Sequence, residues 1–238
     1  MIHVLFFVIG CCIGSFLNVV FSRKDWYKGR SKCDECGYTL KWYDLIPIFS
    51  FLVLKGRCRK CKTKIDKAHL WCELIMGAAF LVGSLSFCKY GIEFGAVSFA
   101  ALVSIGVCAI EDLKEQMVYG FILNGSIILT TLVKSAFLLA EQNYLDTMIL
   151  WSGVLVLKLI FIALSLVFYE KIGEGDYDIL IVIFILGDLW GMIYAIFYAS
   201  IIGCIIYLPQ ILLKKRAKDA PLPFIPLLLM GSICYLLV

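Results

Sequence analysis

Long apolar runs, separated by shorter polar stretches, make up most of this sequence. A helix needs about 20 mostly apolar residues to cross the hydrocarbon core of a bilayer, and it satisfies its own backbone hydrogen bonds there. The pattern therefore predicts an all-α integral membrane protein with about eight spans. They lie at about 2–21, 70–88, 94–111, 118–139, 146–168, 177–187, 190–213 and 221–238. The sixth run is short, and we expect it to be tilted, broken or partly re-entrant.

Composition indicates that lipid surrounds most of the chain. Of the 238 residues 62% are hydrophobic and 17% are charged, and the mean hydropathy is +0.93. Soluble domains have about 45–50% apolar and about 25% charged residues, so a soluble fold is excluded as the class. The net charge of +4 gives no reason to expect a nucleic-acid partner. The first apolar run lacks a basic leading region and an A-x-A cleavage site, so we expect a retained membrane helix.

A polar insert at 22–69 follows the first span and carries thirteen of the 22 basic residues. Lys and Arg in short loops mark the cytoplasmic side, so we expect the insert inside and the N-terminus outside. Alternation of the spans then places 112–117, 169–176 and 214–220 inside as well. Nineteen of the basic residues would thus lie on the cytoplasmic side. The other three, Lys89, Lys134 and Lys158, lie within or outside the spans.

We expect three parts in the chain. They are a first transmembrane helix at 1–21, a cytoplasmic insert at 22–69 and a helical transmembrane core at 70–238. Within the insert, the apolar stretch WYDLIPIFSFLVLKGR at 42–57 is too short and too interrupted to span. Two interpretations stay open for it: an amphipathic segment on the membrane surface, or a small core strand or helix of the insert itself.

The insert contains two C-x-x-C pairs, Cys33 with Cys36 and Cys58 with Cys61, which 21 residues separate. Each pair can place two thiolates on one tetrahedral ion, so the four together predict a closed zinc site. The reducing cytoplasm favours a metal over disulfides. Four thiolates leave no position for water, so the zinc would be structural and would supply much of the insert's folding free energy. Iron, a redox dithiol pair and an empty site are the alternatives.

Two carboxylates lie where spans begin or end. Asp112 closes the third span and Asp176 opens the sixth, so the predicted topology puts both at the cytoplasmic boundary. Two facing carboxylates can share a proton, one acting as base on a water and the other donating to a carbonyl. Gly173 and Gly175 would let the backbone approach a substrate closely.

Structural explanations of these two residues stay open at this point. Asp176 could cap a helix, and Asp112 could be a solvated loop residue paired with Lys114. Glu111, Glu174 and Asp178 are competing carboxylates nearby, and spacing alone does not exclude them.

Two further classes of function fit parts of the pattern. A membrane transporter could use Asp112 and Asp176 as a proton or cation relay, but its carboxylates belong near the bilayer midplane and not at span ends. A zinc-bearing membrane scaffold without catalysis would tolerate substitution of either aspartate. The sequence sets no oligomeric state.

Several motifs, in order along nearly the whole chain, resemble those of the type IV prepilin peptidases. They are GSFLNVVFSR at 14–23, the paired C-x-x-C knuckles, IPIFSFLVLKGRCRKC at 46–61, Glu73 in CELIMGAAF, EDLKEQMV at 111–118, GEGD at 173–176 and PFIPLLLMGS at 223–232. EDLKEQMV resembles the motif of the first catalytic aspartate, and GEGD the GxGD motif of the second.

The resemblance implies a GxGD-type aspartyl peptidase of the bacterial cytoplasmic membrane, with Asp112 and Asp176 as its catalytic pair. Such enzymes cut a short basic leader from prepilins or pseudopilins, after a Gly and before the hydrophobic stalk helix. Members with the cysteine-bearing insert commonly also N-methylate the new N-terminus with S-adenosylmethionine. We expect zinc, membrane lipid and prepilin substrates as partners, and no nucleic acid.

Substrate contacts are expected from Glu73, Gly173, Gly175 and Asp178. The two glycines allow close approach, and the acidic side chains would meet leader Lys or Arg. The chain also departs from the family pattern. Asp178 stands where the family often has a Lys, Asp188 has no family role, and SKCDEC lacks the Pro often found in the first knuckle.

Overall fold

The computed structural model describes residues 1–22, 29–33, 35–115, 118–167, 174–213 and 222–238. The elements in these ranges are helical. They are α1 Ile2–Ser22, a 3-10 turn Trp42–Leu45, α2 Phe49–Val53, α3 Lys67–Tyr90, α4 Ile92–Glu115, α5 Gly120–Ala140, α6 Tyr144–Val167, α7 Glu174–Leu212 and α8 Ile225–Leu237. Two isolated bridges are the only β pairings among the described residues.

Six helices of the described chain, α1, α3, α4, α5, α6 and α7, are long and apolar enough to cross a membrane. The predicted all-α membrane fold, with its insert between the first two spans, is confirmed, and the chain is a multi-pass membrane protein. The predicted sixth and seventh spans both lie in α7. That helix has 39 residues and leaves helical geometry at Gly187 and Asp188, where the two predictions meet.

The chain forms two compact units, Met1–Leu81 and Val82–Val238. The boundary falls within α3. The first unit thus contains the predicted first helix, the insert and the beginning of the predicted core. The division at 22 and 70 stays a prediction.

Close packing of α1 on α3 organises the first unit. A Cβ on Gly14 would lie 2.4 Å from the carbonyl oxygen of Cys72, and one on Gly10 would lie 2.5 Å from that of Met76. Small residues let two membrane helices approach backbone to backbone. Cys11 and Cys72 are buried in this contact, as expected of small apolar residues.

The apolar stretch 42–57 forms the 3-10 turn and α2. Its large apolar side chains point in two directions. Phe51 packs against Gly56, whereas Trp42, Phe49 and Leu52 are exposed. This division is what the amphipathic interpretation requires.

A buried helical segment forms the centre of the second unit. The first part of α7 has five side chains that are completely buried: Ile179, Ile181, Val182, Ile183 and Ile185. A helix that is apolar on all sides is typical of a position enclosed by other helices. Peripheral α6 is the least buried of the six candidate spans, so the second unit has a protein-enclosed helix and a largely exposed one.

Candidate active site and metal centre

Asp112 lies in the last turn of α4 and is buried, with 8% of its surface exposed. Its Oδ2 accepts a hydrogen bond of 3.2 Å from the backbone N–H of Ile225, the first residue of α8. The first N–H groups of a helix lack partners within it, so a carboxylate there satisfies one and meets the positive end of the dipole. Asp112 is therefore not a solvated loop residue.

Asp176 is the third residue of α7 and so lies in its first turn, not at the N-cap. Gly175 beside it packs against α5: a Cβ there would lie 3.4 Å from Leu123. Asp112 is near enough for its charge to act on Asp176. The end of α4 and the beginning of α7 thus carry the two aspartates predicted from the sequence.

The competing carboxylates have other surroundings. Glu111 is buried in α4, with 1% of its surface exposed. Asp178 is ion-paired with Lys158 of α6. The side chain of Glu174 and the whole of Gly173 lie outside the described residues. The substrate-binding roles of Gly173, Gly175 and Asp178 stay predictions.

Glu73 belongs to the first unit, in α3, and its Oε2 accepts a 2.6 Å hydrogen bond from the backbone N–H of Ile48. It lines a cavity of about 360 Å³ together with Asn18 and His69, which hydrogen-bond to each other. Neither of these two was among the site residues predicted from the sequence. Asn18 is a polar residue inside an apolar span and 3% exposed, and that position was the available signal.

The four predicted metal ligands converge. The Sγ atoms of Cys33, Cys36, Cys58 and Cys61 all lie within 4.8 Å of one another. Cys33 and Cys61 are 3.8 Å apart, and Cys36 and Cys58 are 3.9 Å apart. Zinc–sulfur bonds of about 2.3 Å in a tetrahedron require sulfur–sulfur distances of about 3.8 Å. The donor set therefore fits a tetrahedral thiophilic ion.

Both cysteine pairs are held by the same backbone turn. In the first, Cys33 N–H donates to the carbonyl of Tyr38 and Gly37 N–H donates to that of Cys33. In the second, Cys58 bonds to Thr63 and Lys62 to Cys58 in the same way. Each turn is closed by a bridge, Lys32 with Thr39 and Arg57 with Lys64. Two copies of one knuckle thus face each other across the sulfurs.

Local hydrogen bonds distribute the thiolate charge unevenly. The hydroxyl of Thr63, 3.2 Å from the Sγ of Cys61, and the Thr63 amide lower the pKa of that thiol to about 6. The Tyr38 amide acts the same way on Cys36, but loss of hydration and the other three sulfurs raise its pKa to about 11. A cation bound between the four sulfurs would hold all of them as thiolates.

An ion pair ties the second knuckle to the preceding 3-10 turn. Arg59 lies 2.7 Å from Oδ1 of Asp44, and its guanidinium stacks over the ring of Tyr43 at 4.9 Å. At least one of the basic residues around the knuckles therefore helps to fix the fold of the insert.

Comparison with known proteins gives the family. Residues 8–87 match the family model of the bacterial peptidase A24 N-terminal domain. A prepilin leader peptidase/N-methyltransferase of Bacillus subtilis is 30% identical over 239 residues, which are 96% of this chain and 91% of that protein. A type 4 prepilin-like proteins leader peptide-processing enzyme of Escherichia coli is also 30% identical, over 97% of this chain and 91% of that one.

A third relative matches over a shorter part of the chain. A prepilin leader peptidase/N-methyltransferase of Myxococcus xanthus is 38% identical over 106 residues, 43% of this chain and 31% of that protein. No solved structure matches. The two matches that cover nearly all of both chains confirm the resemblance in the motifs, and the chain belongs to the prepilin leader peptidase/N-methyltransferase family of enzymes.

Proposed function

We propose that this protein is an intramembrane aspartyl endopeptidase that removes the basic leader of type IV prepilin-like proteins at the cytoplasmic membrane face. The observation that carries the proposal is the placement of Asp112 in the last turn of α4 and of Asp176 in the first turn of α7, two helices that pack together in the second unit. Membership of the family supports the substrate class. A transporter is disfavoured because both carboxylates lie at helix ends, away from a midplane site.

Hydrolysis follows from opposite protonation of the two carboxyls. The ionised one takes a proton from water as its oxygen attacks the scissile carbonyl carbon, and the protonated one donates to the carbonyl oxygen. When the tetrahedral intermediate collapses, the carbon–nitrogen bond breaks and the leaving amine takes a proton from the pair. The N–H of Ile225 orients Oδ2 of Asp112 throughout, so α8 is part of the site.

The cytoplasmic location rests on the distribution of charge. Alternation of the spans puts the loops next to Asp112 and Asp176 on the same side as the strongly basic insert. We place that side in the cytoplasm of a bacterial cell, with the N-terminus outside the cytoplasmic membrane. A leader that is itself basic stays on that side, so its cleavage point would meet the aspartates at the same depth.

The decisive test is substitution of the two aspartates alone and together. Asp112→Asn and Asp176→Asn should each abolish trimming of a co-expressed prepilin, by at least about 10³-fold, and the double variant should be no worse, because residues that act as one unit are not additive. Asn is nearly isosteric, so expression should persist. A single Asn variant that trims at near the wild-type rate would remove that aspartate from the mechanism and direct attention to Glu111, Glu174 or Asp178.

We further propose that the four cysteines hold one structural zinc ion. The sulfur spacing and the two matched knuckles support it, and four protein ligands leave no place for a reacting water. The ion would neutralise the thiolates and hold the knuckles together.

The second activity in the relatives' names, N-methylation, would need S-adenosylmethionine, which supplies an electrophilic methyl group. We propose that this ligand occupies the cavity of the first unit. Its volume lies in the range of cofactor pockets, about 300–1,000 Å³. Glu73 and Asp66 on its wall would hold the cationic donor, and apolar Phe51 and Leu70 its ring system.

A further inference from the structure

The aspartate of the GxGD motif stands on a helical segment that cannot set its own depth in the membrane. The first part of α7, Glu174–Leu186, ends where Gly187 and Asp188 leave helical geometry. At 1.5 Å per residue these thirteen residues extend about 20 Å, short of the roughly 30 Å hydrocarbon core. A fully spanning helix is positioned by the match of its apolar length to the bilayer. This segment needs other contacts.

Lys158 of α6 contacts this segment near its beginning. Lys158 donates to Oδ1 of Asp178, and the two side chains are 30% and 13% exposed. The rings of Phe161 and Tyr177 stack beside this pair, with centroids 5.2 Å apart. These residues share one cavity of about 210 Å³ between α6 and α7. The first turns of α7 are therefore joined to α6 by an ion pair and an aromatic stack.

Lys134 of α5 contacts the other end of the segment. Lys134 donates a 2.8 Å hydrogen bond to the carbonyl of Ile185 and lies 3.4 Å from Oδ1 of Asp188. The helix break next to Ile185 frees carbonyls that no longer have a helical donor, and a cation near a helix C-terminus is favourable. Asp188 takes a φ of 54°, a strained value for a residue with a side chain, so this end has a defined and unusual geometry.

The ion pair at the beginning also fixes the rotation of the segment. Successive helical residues are 100° apart, so Asp178 and Asp176 point to nearly opposite sides. A contact that turns Asp178 towards α6 turns Asp176 away from it, and Asp112 lies near enough to act on Asp176. A lone lysine in α6, the least buried span, would be costly in lipid, so the pair strongly favours this rotation.

We propose that Lys158 and Lys134 are positioning residues that set the rotation and depth of the short α7 segment and thereby the place of Asp176. This rests on the proposed peptidase function. Lys158 acts through Asp178, and Lys134 acts through the carbonyl of Ile185 and through Asp188. Neither lysine touches the scissile bond.

The test exchanges the charges of Lys158 and Asp178. Lys158→Met should lower kcat for prepilin cleavage by at least about tenfold with KM little changed, because a small misplacement of a reacting group slows chemistry without removing substrate contacts. Asp178→Asn should lower kcat by a similar factor. The double variant Lys158→Asp with Asp178→Lys should recover to within about threefold of wild type, and Lys158→Arg should stay close to it. Lys134→Met should resemble Lys158→Met.

Lys89→Met is the matched control. Lys89 is also a lysine near a span end that donates to backbone carbonyls, but these belong to Leu236 and Leu237 of α8. The Lys89→Met variant should keep the wild-type kcat. Thermal unfolding in detergent shows which variants are folded. Where Lys158→Met does not fold, the exchanged pair and Lys158→Arg decide, since both retain an ion pair.

Wild-type kcat in folded Lys158→Met, or no recovery in a folded exchanged pair, would overturn the proposal. Asp176→Asn in the same assay separates it from the peptidase function. Loss of cleavage there, with full activity in both lysine variants, would overturn the positioning role alone. Retained cleavage in Asp176→Asn would overturn both.

Discussion

Three lysines, Lys89, Lys134 and Lys158, lie apart from the nineteen basic residues that the predicted topology places inside. Each has a partner in the second unit: carbonyls at the end of α8, the helix break in α7, and Asp178. The sequence shows that such residues are costly in lipid, but it does not show their partners. Helical periodicity relates residues on one helix, whereas these contacts join different helices.

The two cysteine knuckles show a similar limit of prediction from the sequence. Gly37 follows the first cysteine pair, and its φ of 65° lies in the left-handed region that glycine adopts readily. In the second knuckle the equivalent residue is Lys62, with a φ of 62°. The repeated C-x-x-C spacing predicts the ligands in both, but a lysine gives no signal of a left-handed turn.

One cysteine substitution tests the metal centre. The purified, reduced protein should contain about one zinc per chain, and Cys33→Ser should release it and lower folded yield, because the insert has little other core. Cys12→Ser is the control: Cys12 is an exposed thiol in α1, outside the cluster, and its loss should leave the metal content unchanged. Metal analysis by mass spectrometry decides, and wild-type protein without metal would contradict the zinc site.

At the level of elements, hydropathy locates the helices well and their polar ends poorly. The sixth apolar run begins at about 177, but α7 begins at Glu174, because Glu174, Gly175 and Asp176 form its first turn. The last run begins at about 221, whereas α8 begins at Ile225 with Pro226 in its first turn, where a proline is tolerated. The proposed catalytic aspartates lie at the ends of α4 and α7, so the least predictable boundaries carry the candidate site.

Packing between α7 and α8 gives a prediction at this scale. A Cβ on Gly231 would lie 2.1 Å from the carbonyl oxygen of Ala195, so Gly231→Ala must separate the two helices and should cost about 1–3 kcal/mol. Gly125→Ala in α5 is the matched control, since no atom lies within 4 Å of its added Cβ. It should leave the protein equally or slightly more stable, because Ala favours helix over Gly. Thermal unfolding in detergent measures both; equal stability of the two variants would show that α7 and α8 are not closely packed at Gly231.

At the scale of the whole molecule, apolar run length predicted the multi-pass helical fold, and the paired cysteines predicted the metal ligands. Spacing alone left Asp112 and Asp176 among several carboxylates at span ends, and the resemblance to the prepilin peptidases selected these two. Hydropathy cannot show that the chain packs as two units, at Met1–Leu81 and Val82–Val238, because α3 crosses their boundary as one uninterrupted apolar helix. Which unit carries each activity is therefore a question for the structure.

Orientation in the membrane is the prediction on which the cytoplasmic site depends. Alternation from an N-terminus outside places Lys64 and Lys114 inside and Gln142, in the turn between α5 and α6, outside. Alkaline phosphatase needs disulfides and is active only outside, so fusions after Lys64 and Lys114 should be inactive and a fusion after Gln142 active. Fluorescent-protein fusions at the same points should give the opposite pattern. Active phosphatase after Lys64 would put the thiol cluster in an oxidising compartment, where disulfides replace zinc, and would place both aspartates on the wrong side for a leader that stays inside.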